Sequence, residues 1–232
     1  MKIQVYDVND FEKHADPKLI KEVEGVVAAM PLLVKYSDQA NRQDRLIFSP
    51  VATNIAIGEE LVARKWGKQI VIPKAYQALG KDVDFGKDGL LVEVQLSNYP
   101  FFLNNVVRTN VLYNEGVDLP GMGKIRAAVV ITKGKLFEAS NSTLYYEQAV
   151  NQIEFMVRGN SVQVPLRIIG LTAERGKPEA ACVVEYHAKR YSRTIVKRTN
   201  VVCQIGGNGA VRQRERIVIV PQDGKLKKLK GK

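Results

Sequence analysis

The cleanest alternation in the chain runs from residue 90 to 96. Leu90, Val92, Val94 and Leu96 fall on one face of a strand, and Leu91, Glu93 and Gln95 on the other. Just before it stands Asp88-Gly89, a two-residue hairpin signal, because a type I′ turn needs positive φ at both central positions. With the turn set there, the strands pair outward as Lys87–Leu90, Gly86–Leu91, Phe85–Val92 and Asp84–Glu93. Asp84, Glu93 and Gln95 then share one face.

Helical periodicity marks the segments around this hairpin. Asp16 followed by Pro17 opens a helix whose apolar stripe is Leu19, Ile20, Val23, Val26, Val27 and Met30, with Pro31 helping to stop it. A polar loop spans 35–45. Ser49-Pro50 opens a second helix, expected to run to about Trp66 and to stop at Gly67. A short strand is expected at 69–72. A helix follows at 101–112 with Phe102, Val106, Thr109 and Leu112 inward, then a Gly- and Pro-bearing loop at 114–124. The continuous apolar runs 127–132 and 164–171 read as strands buried on both faces, separated by a helix at 143–157.

Beyond Thr172 the pattern changes to short strands at 182–186, 191–196, 201–205 and 217–220, with a glycine-rich tip at 206–209. The expectation is one domain: an α/β core over 1–171, a smaller β-rich part over 172–224 and a lysine-rich tail over 225–232.

Two carboxylates facing each other across a strand pair repel. At about 5 Å and an effective dielectric near 20 the cost is on the order of 3 kcal/mol. Either a hard, oxygen-liganded divalent cation sits between Asp84 and Glu93, or the hairpin is exposed and its acids face water. The stretch alone does not choose.

Charge narrows the class of partner. The 232 residues carry a net charge of +11, with a sequence pI near 9.6, which points to a polyanion, nucleic acid before membrane. No run of 18 apolar residues and no signal-peptide layout occurs, so a cytoplasmic protein with reduced Cys182 and Cys203 is expected, although a bridge between the two cysteines stays open.

Two segments carry further polar chemistry. Ser140, Asn141, Ser142 and Thr143 stand before a helix; one of them caps it, and the others are free to read base edges or hold phosphate. The stretch 189–198 holds Lys189, Arg190, Arg193, Lys197 and Arg198 around Tyr191, which suits phosphate and groove contact better than a merely solvated strand. Other signals fail. Gly121-Met122-Gly123-Lys124 lacks the P-loop spacing, and His14 and His187 are too far apart in sequence to suggest a zinc site or a triad.

The spacing from Asp84 to Glu93-Val94-Gln95 resembles the metal-site motif of PD-(D/E)xK nucleases, with glutamine where lysine is usual. Ser37-Asp38-Gln39-Ala40 and the stretches 91–108, 131–152 and 189–198 are similar, in order and spacing, to those of BglII-type restriction endonucleases. The resemblance covers residues 16–198 and fades across 114–124, across 172–188 and after about 199.

That resemblance implies a restriction-endonuclease-like mixed β-sheet flanked by helices, with a smaller β-rich subdomain, forming a homodimer on double-stranded DNA. It implies Mg²⁺-dependent cleavage of both strands of a palindrome, AGATCT or a related GATC-centred site. Asp84, the Val94 carbonyl and Glu93 would hold the metal, while Glu93 and Gln95 orient the attacking water. Ser97, Asn98, Asn141, Ser142, Tyr191 and Arg193 would contact DNA. Gln69 stands where the family has asparagine near the active site, and its role is left open. Two rival classes are a non-catalytic DNA-binding protein of the same fold and a basic RNA- or ribosome-associated protein; the second explains the charge but not the facing acids.

Overall fold

Asp88 and Gly89 both take positive φ, 46° and 81°, and the ladder across them pairs Lys87 with Leu90, Gly86 with Leu91 and Phe85 with Val92. The hairpin therefore forms in the register that the alternation requires. The computed structural model describes residues 1–139, 144–188, 192–206 and 216–220.

In chain order, β1 (Lys2–Val8) and α1 (Phe11–His14) precede α2 (Pro17–Ala29), where Asp16 caps the helix by accepting the Lys18 N–H at 2.8 Å. β2 (Leu32–Tyr36) and β3 (Leu46–Phe48) flank the polar loop. α3 (Pro50–Ala63) starts at its cap Ser49 but ends short of Gly67. Lys65 takes the left-handed conformation that stops it, with φ 63°, and Gly67 instead opens β4 (Gly67–Val71). β5 (Asp82–Lys87) and β6 (Leu90–Val94) form the hairpin, followed by α4 (Tyr99–Asn114), which exceeds the expected helix at both ends.

The short β7 (Asp118–Leu119) and β8 (Gly123–Lys124) lead to β9 (Ala127–Lys133). After it come α5 (Tyr146–Arg158), β10 (Leu166–Thr172), β11 (Pro178–Tyr186), β12 (Ile195–Gly206) and β13 (Arg216–Val220). β12 is one strand where the sequence suggests two. Its polar middle stays paired, with Lys197 opposite Glu185 and Asn200 opposite Cys182.

Six strands make a mixed sheet in the order β1-β10-β9-β6-β5-β4. β6, β9 and β10 run parallel at its centre, and every residue of β9 is buried. Its two faces bury separate apolar clusters. Val92, Val94 and Leu96 pack with α2 and α3 residues such as Val23, Ile57 and Leu61 on one side. Leu91 and Val130 pack with Phe102 and Val106 of α4 and Ile153 of α5 on the other. Helices thus flank both faces of the mixed sheet, the α/β arrangement expected from the sequence.

The second sheet is a closed barrel, β11-β12-β13-β3-β2. It takes β2 and β3 from before residue 50, in addition to strands from the expected 172–224 part. Its inward residues, among them Leu32, Cys182, Cys203 and Ile205, continue the α2/α3 cluster without a break. Both cysteines are buried and unbridged. Among the described residues no helix is long and apolar enough to cross a membrane.

Candidate active site

Continuing the hairpin register past Phe85–Val92 sets Asp84 across from Glu93. The Val94 N–H donates to Asp84 Oδ2 at 2.8 Å, so the end of β6 away from the turn fixes the aspartate. Glu93 is only 1% exposed, which removes the reading in which both acids simply face water. Instead its side chain enters the seam between β6 and α4. Arg108 Nη2 donates to Glu93 Oε1 at 2.5 Å, and Asn105 Nδ2 donates to Oε2 at 3.1 Å. Burial, then the facing Asp84, push the Glu93 carboxyl up to about 8, against the pull of Arg108.

Asp84 also borders an open cleft of about 450 Å³. Its walls are Pro50, Val51, Asn54 and Ile55 from the first turns of α3, Lys68 and Gln69 from β4, Leu96 and Ser97 beyond β6, and Arg193 before β12. Gln69 falls opposite Asp84, between the pairs Lys68–Phe85 and Ile70–Val83. It holds φ at 50°, a left-handed conformation that costs a non-glycine residue about 1 kcal/mol or more. The cleft therefore joins four residues that the sequence singled out: Asp84, Gln69, Ser97 and Arg193.

The other candidates are placed less uniformly. Gln95 donates its N–H to the Ile131 carbonyl at 2.8 Å, which ties the motif strand to β9, and its side chain is part-buried. The Ser97 carbonyl accepts the Leu144 N–H at 3.0 Å. Asn98 is the N-cap residue of α4, yet its side chain makes no capping bond. Lys197 pairs with Glu185 at 3.0 Å and Arg198 with Glu59 at 3.7 Å, all four side chains more than half exposed. Asn141, Ser142, Lys189, Arg190 and Tyr191 lie outside the described residues.

The donor chemistry fits a hard cation. Asp84 and Glu93 are close enough to hydrogen-bond, and that like-charged contact needs either a proton or a cation between them. Both offer only oxygen, the ligand atom that a hard cation takes. Two carboxylates are enough for a hard divalent ion that keeps much of its water.

Asn105 and Arg108 are absent from the sequence-based candidates. Their signal was available: three residues apart on one helix, they put an amide and a cation beside the apolar stripe of Phe102, Val106 and Thr109. A buried cation on an inward helix face needs an anion.

Comparison with known proteins places the chain in a family. The model of the restriction endonuclease BglII/BglIII family matches residues 9–171. The type II restriction enzyme BglII of Bacillus subtilis is 47% identical over 201 residues, which cover 87% of this chain and 90% of that one. The crystal structure of BglII complexed with a DNA 16-mer superposes with a TM-score of 0.90 at 44% identity, covering 95% of this chain and all of that one. Free BglII superposes with a TM-score of 0.73 at 41% identity over the same shares. On this match of sequence and fold, the chain belongs to the BglII/BglIII restriction endonuclease family.

Proposed function

We propose that this chain, a site-specific endonuclease by family, hydrolyses one phosphodiester in each strand of a short palindromic duplex, AGATCT or a related GATC-centred site, as a Mg²⁺-dependent homodimer. A two-fold protein on a two-fold site needs only half the recognition surface in each subunit. The whole chain serves as one domain in this reading, with the α/β core cutting and the barrel side gripping DNA. A cytoplasmic location in a bacterial cell suits that role.

The observation that carries the proposal is the opposition of Asp84 and Glu93 at the edge of a cleft that also receives Arg193. Asp84, Glu93 and the Val94 carbonyl would hold the ion. When bound, a divalent ion supplies Lewis acidity, lowering the pKa of water and offsetting the charge that builds on the phosphate. The chain's own residues do the rest. Glu93, fixed from α4, and Gln95 accept and donate hydrogen bonds that orient the attacking water. Gln95 has no charge and serves only in orientation. Arg193, Ser97, Asn98, Asn141, Ser142 and Tyr191 supply base and backbone contacts, with Lys189, Arg190, Lys197 and Arg198 adding phosphate attraction. Gln69 brings an amide to the same wall as Asp84.

Incubation with mixed-sequence plasmid and Mg²⁺, followed by sequencing of the ends, tests this directly. The expected result is one family of ends at a single palindrome. No cleavage of any duplex would favour the DNA-binding protein that keeps the fold without the chemistry.

A further inference from the structure

Arg108 is a guanidinium buried between α4 and the sheet, 8% exposed, and its ion-pair partner there is the equally hidden Glu93. A pair like this is a poor way to hold a helix on a sheet. Apolar residues of similar volume do as well or better, because neither ion has to be stripped of water. The same face of α4 already supplies Phe102, Val106 and Leu112 for that purpose.

The pairing geometry is not the one that maximises attraction either. Arg108 meets Glu93 through Nη2 alone, and its buried Nε finds no hydrogen-bond partner among the described residues. A two-pronged arginine–carboxylate contact would use both. Here the second carboxylate oxygen goes to Asn105 instead. Each oxygen of Glu93 is thus held by its own donor from one helix, which leaves the carboxylate's remaining acceptor directions toward Asp84.

Arg108 is itself confined. A Cβ placed on Gly80 would lie 2.6 Å from Arg108 Nη1, so a side chain in the segment between β4 and β5 would displace the guanidinium, and Gly80's φ of +139° disfavours one as well.

We propose that Arg108 is a positioning residue of the cleavage reaction. It acts through Glu93, fixing the direction of that carboxylate and supplying a positive charge beside it. Arg108 does not touch DNA in this arrangement; it governs the cutting step rather than the grip. The inference rests on the nuclease reading above.

The test uses the full-length protein with a duplex bearing its cleavage site. Affinity is measured by gel shift without metal, cleavage by single turnover with Mg²⁺, and folding by thermal melting. Arg108→Met is expected to bind within about threefold of wild type and to cut at least about 100-fold more slowly. Arg108→Lys, which restores a charge and one donor, should recover at least about tenfold of that loss. Cutting by Arg108→Met within about threefold of wild type would overturn the proposal. So would a loss of cutting matched by an equal loss of binding, or no recovery with lysine.

Should Arg108→Met fail to fold, Asn105→Ala carries the same test of the α4 clamp. Binding kept with cutting at least about tenfold slower supports it, and wild-type cutting overturns it. Asp84→Asn runs beside these variants as the control. If wild type and Asp84→Asn cut alike, the nuclease reading itself has failed, which is a different result.

Discussion

Asp84 Oδ2 accepts the Val94 backbone N–H at 2.8 Å, so the carboxylate proposed to hold the metal also closes the end of its own hairpin. Asparagine at this position retains an oxygen that can accept the same bond, while losing the charge that faces Glu93. Asp84→Asn should therefore fold within about 1 kcal/mol of wild type, because removing the like-charge contact offsets any weakening of that bond. Binding to the specific duplex without metal should survive or tighten. Cleavage should fall by more than about 1,000-fold, the loss expected when the principal ligand of an essential ion is gone. Melting, gel shift and cleavage on one duplex check all three. Cutting at the wild-type rate would remove Asp84 from the site.

Arg193 differs from Lys197 and Arg198 in what surrounds it. It opens into the Asp84 cleft, whereas the other two are engaged with Glu185 and Glu59. Arg193→Ala should cost about 1–3 kcal/mol on the specific duplex if it reads a base edge, with little change on random DNA. If it contacts phosphate, binding weakens on all sequences, and the slope of log affinity against log salt falls by about one per contact. Lys197→Ala and Arg198→Ala should flatten that slope less, because each cation must first leave an exposed ion pair. Slopes measured for all three variants on specific and random duplexes decide the ranking. Equal slopes for Arg193→Ala and wild type, with unchanged specificity, would place Arg193 outside the DNA contact.

Much of this was legible because short-range rules and tertiary packing agree in the hairpin. Asp88-Gly89 fixed a turn, the turn fixed a register, and the register put Asp84 opposite Glu93. The helices with Pro at the first position were equally plain. The barrel was not. β3 is three residues long and takes partners from β2 and β13, the latter about 170 residues away, so no local period reveals it. β1 shows no clean alternation either, because it lies at the sheet edge with none of its residues fully buried. The α4 clamp stayed hidden for a related reason. Asn105 and Arg108 gain their meaning only from Glu93, whose own burial the alternation could not give, since the other face of β6 is covered as well.

Arg167 offers a test of the scaffold apart from the site. It sits on β10 and makes two bonds to Asp7 of β1, at 2.7 Å and 2.5 Å, with further contacts to Glu24 of α2 at 2.7 Å and Glu12 of α1 at 3.1 Å. Its guanidinium also stacks on Phe11, 4.7 Å from the ring centre. Arg167→Met would leave three acids without their common cation. Because those acids keep some access to water, the loss should be about 2–3 kcal/mol rather than the full value for a sealed pair. Urea unfolding measures it, and cleavage per folded molecule should be unchanged at low temperature. A stability change below about 0.5 kcal/mol would show that this hub does not hold the N-terminal elements to the sheet.

Glu93 should also leave a signature in stability against pH when no metal is present. Its carboxyl is pushed up to about 8 in the folded chain, from an ordinary value of 4.5, by burial and then by Asp84. The folded state therefore binds a proton over a range in which the unfolded state has released it. That contribution is fully present below 4.5, declines as the pH rises above it, and is gone once the pH has passed through about 8. Glu93→Gln cannot titrate and lacks this term, while its amide oxygen can still accept from Arg108 or Asn105. In the presence of chelator, the stability of wild type minus that of Glu93→Gln should fall steadily from pH 5 to pH 9, with groups that do not contact Glu93 cancelling in the difference. Added divalent ion should reverse the trend at the alkaline end, because an ion between the two carboxylates favours the ionised form that burial disfavours. Urea midpoints at four or five pH values, with chelator and with Mg²⁺, supply the measurement. A flat difference in chelator would mean that Glu93 is ionised throughout, with Arg108 outweighing both burial and Asp84.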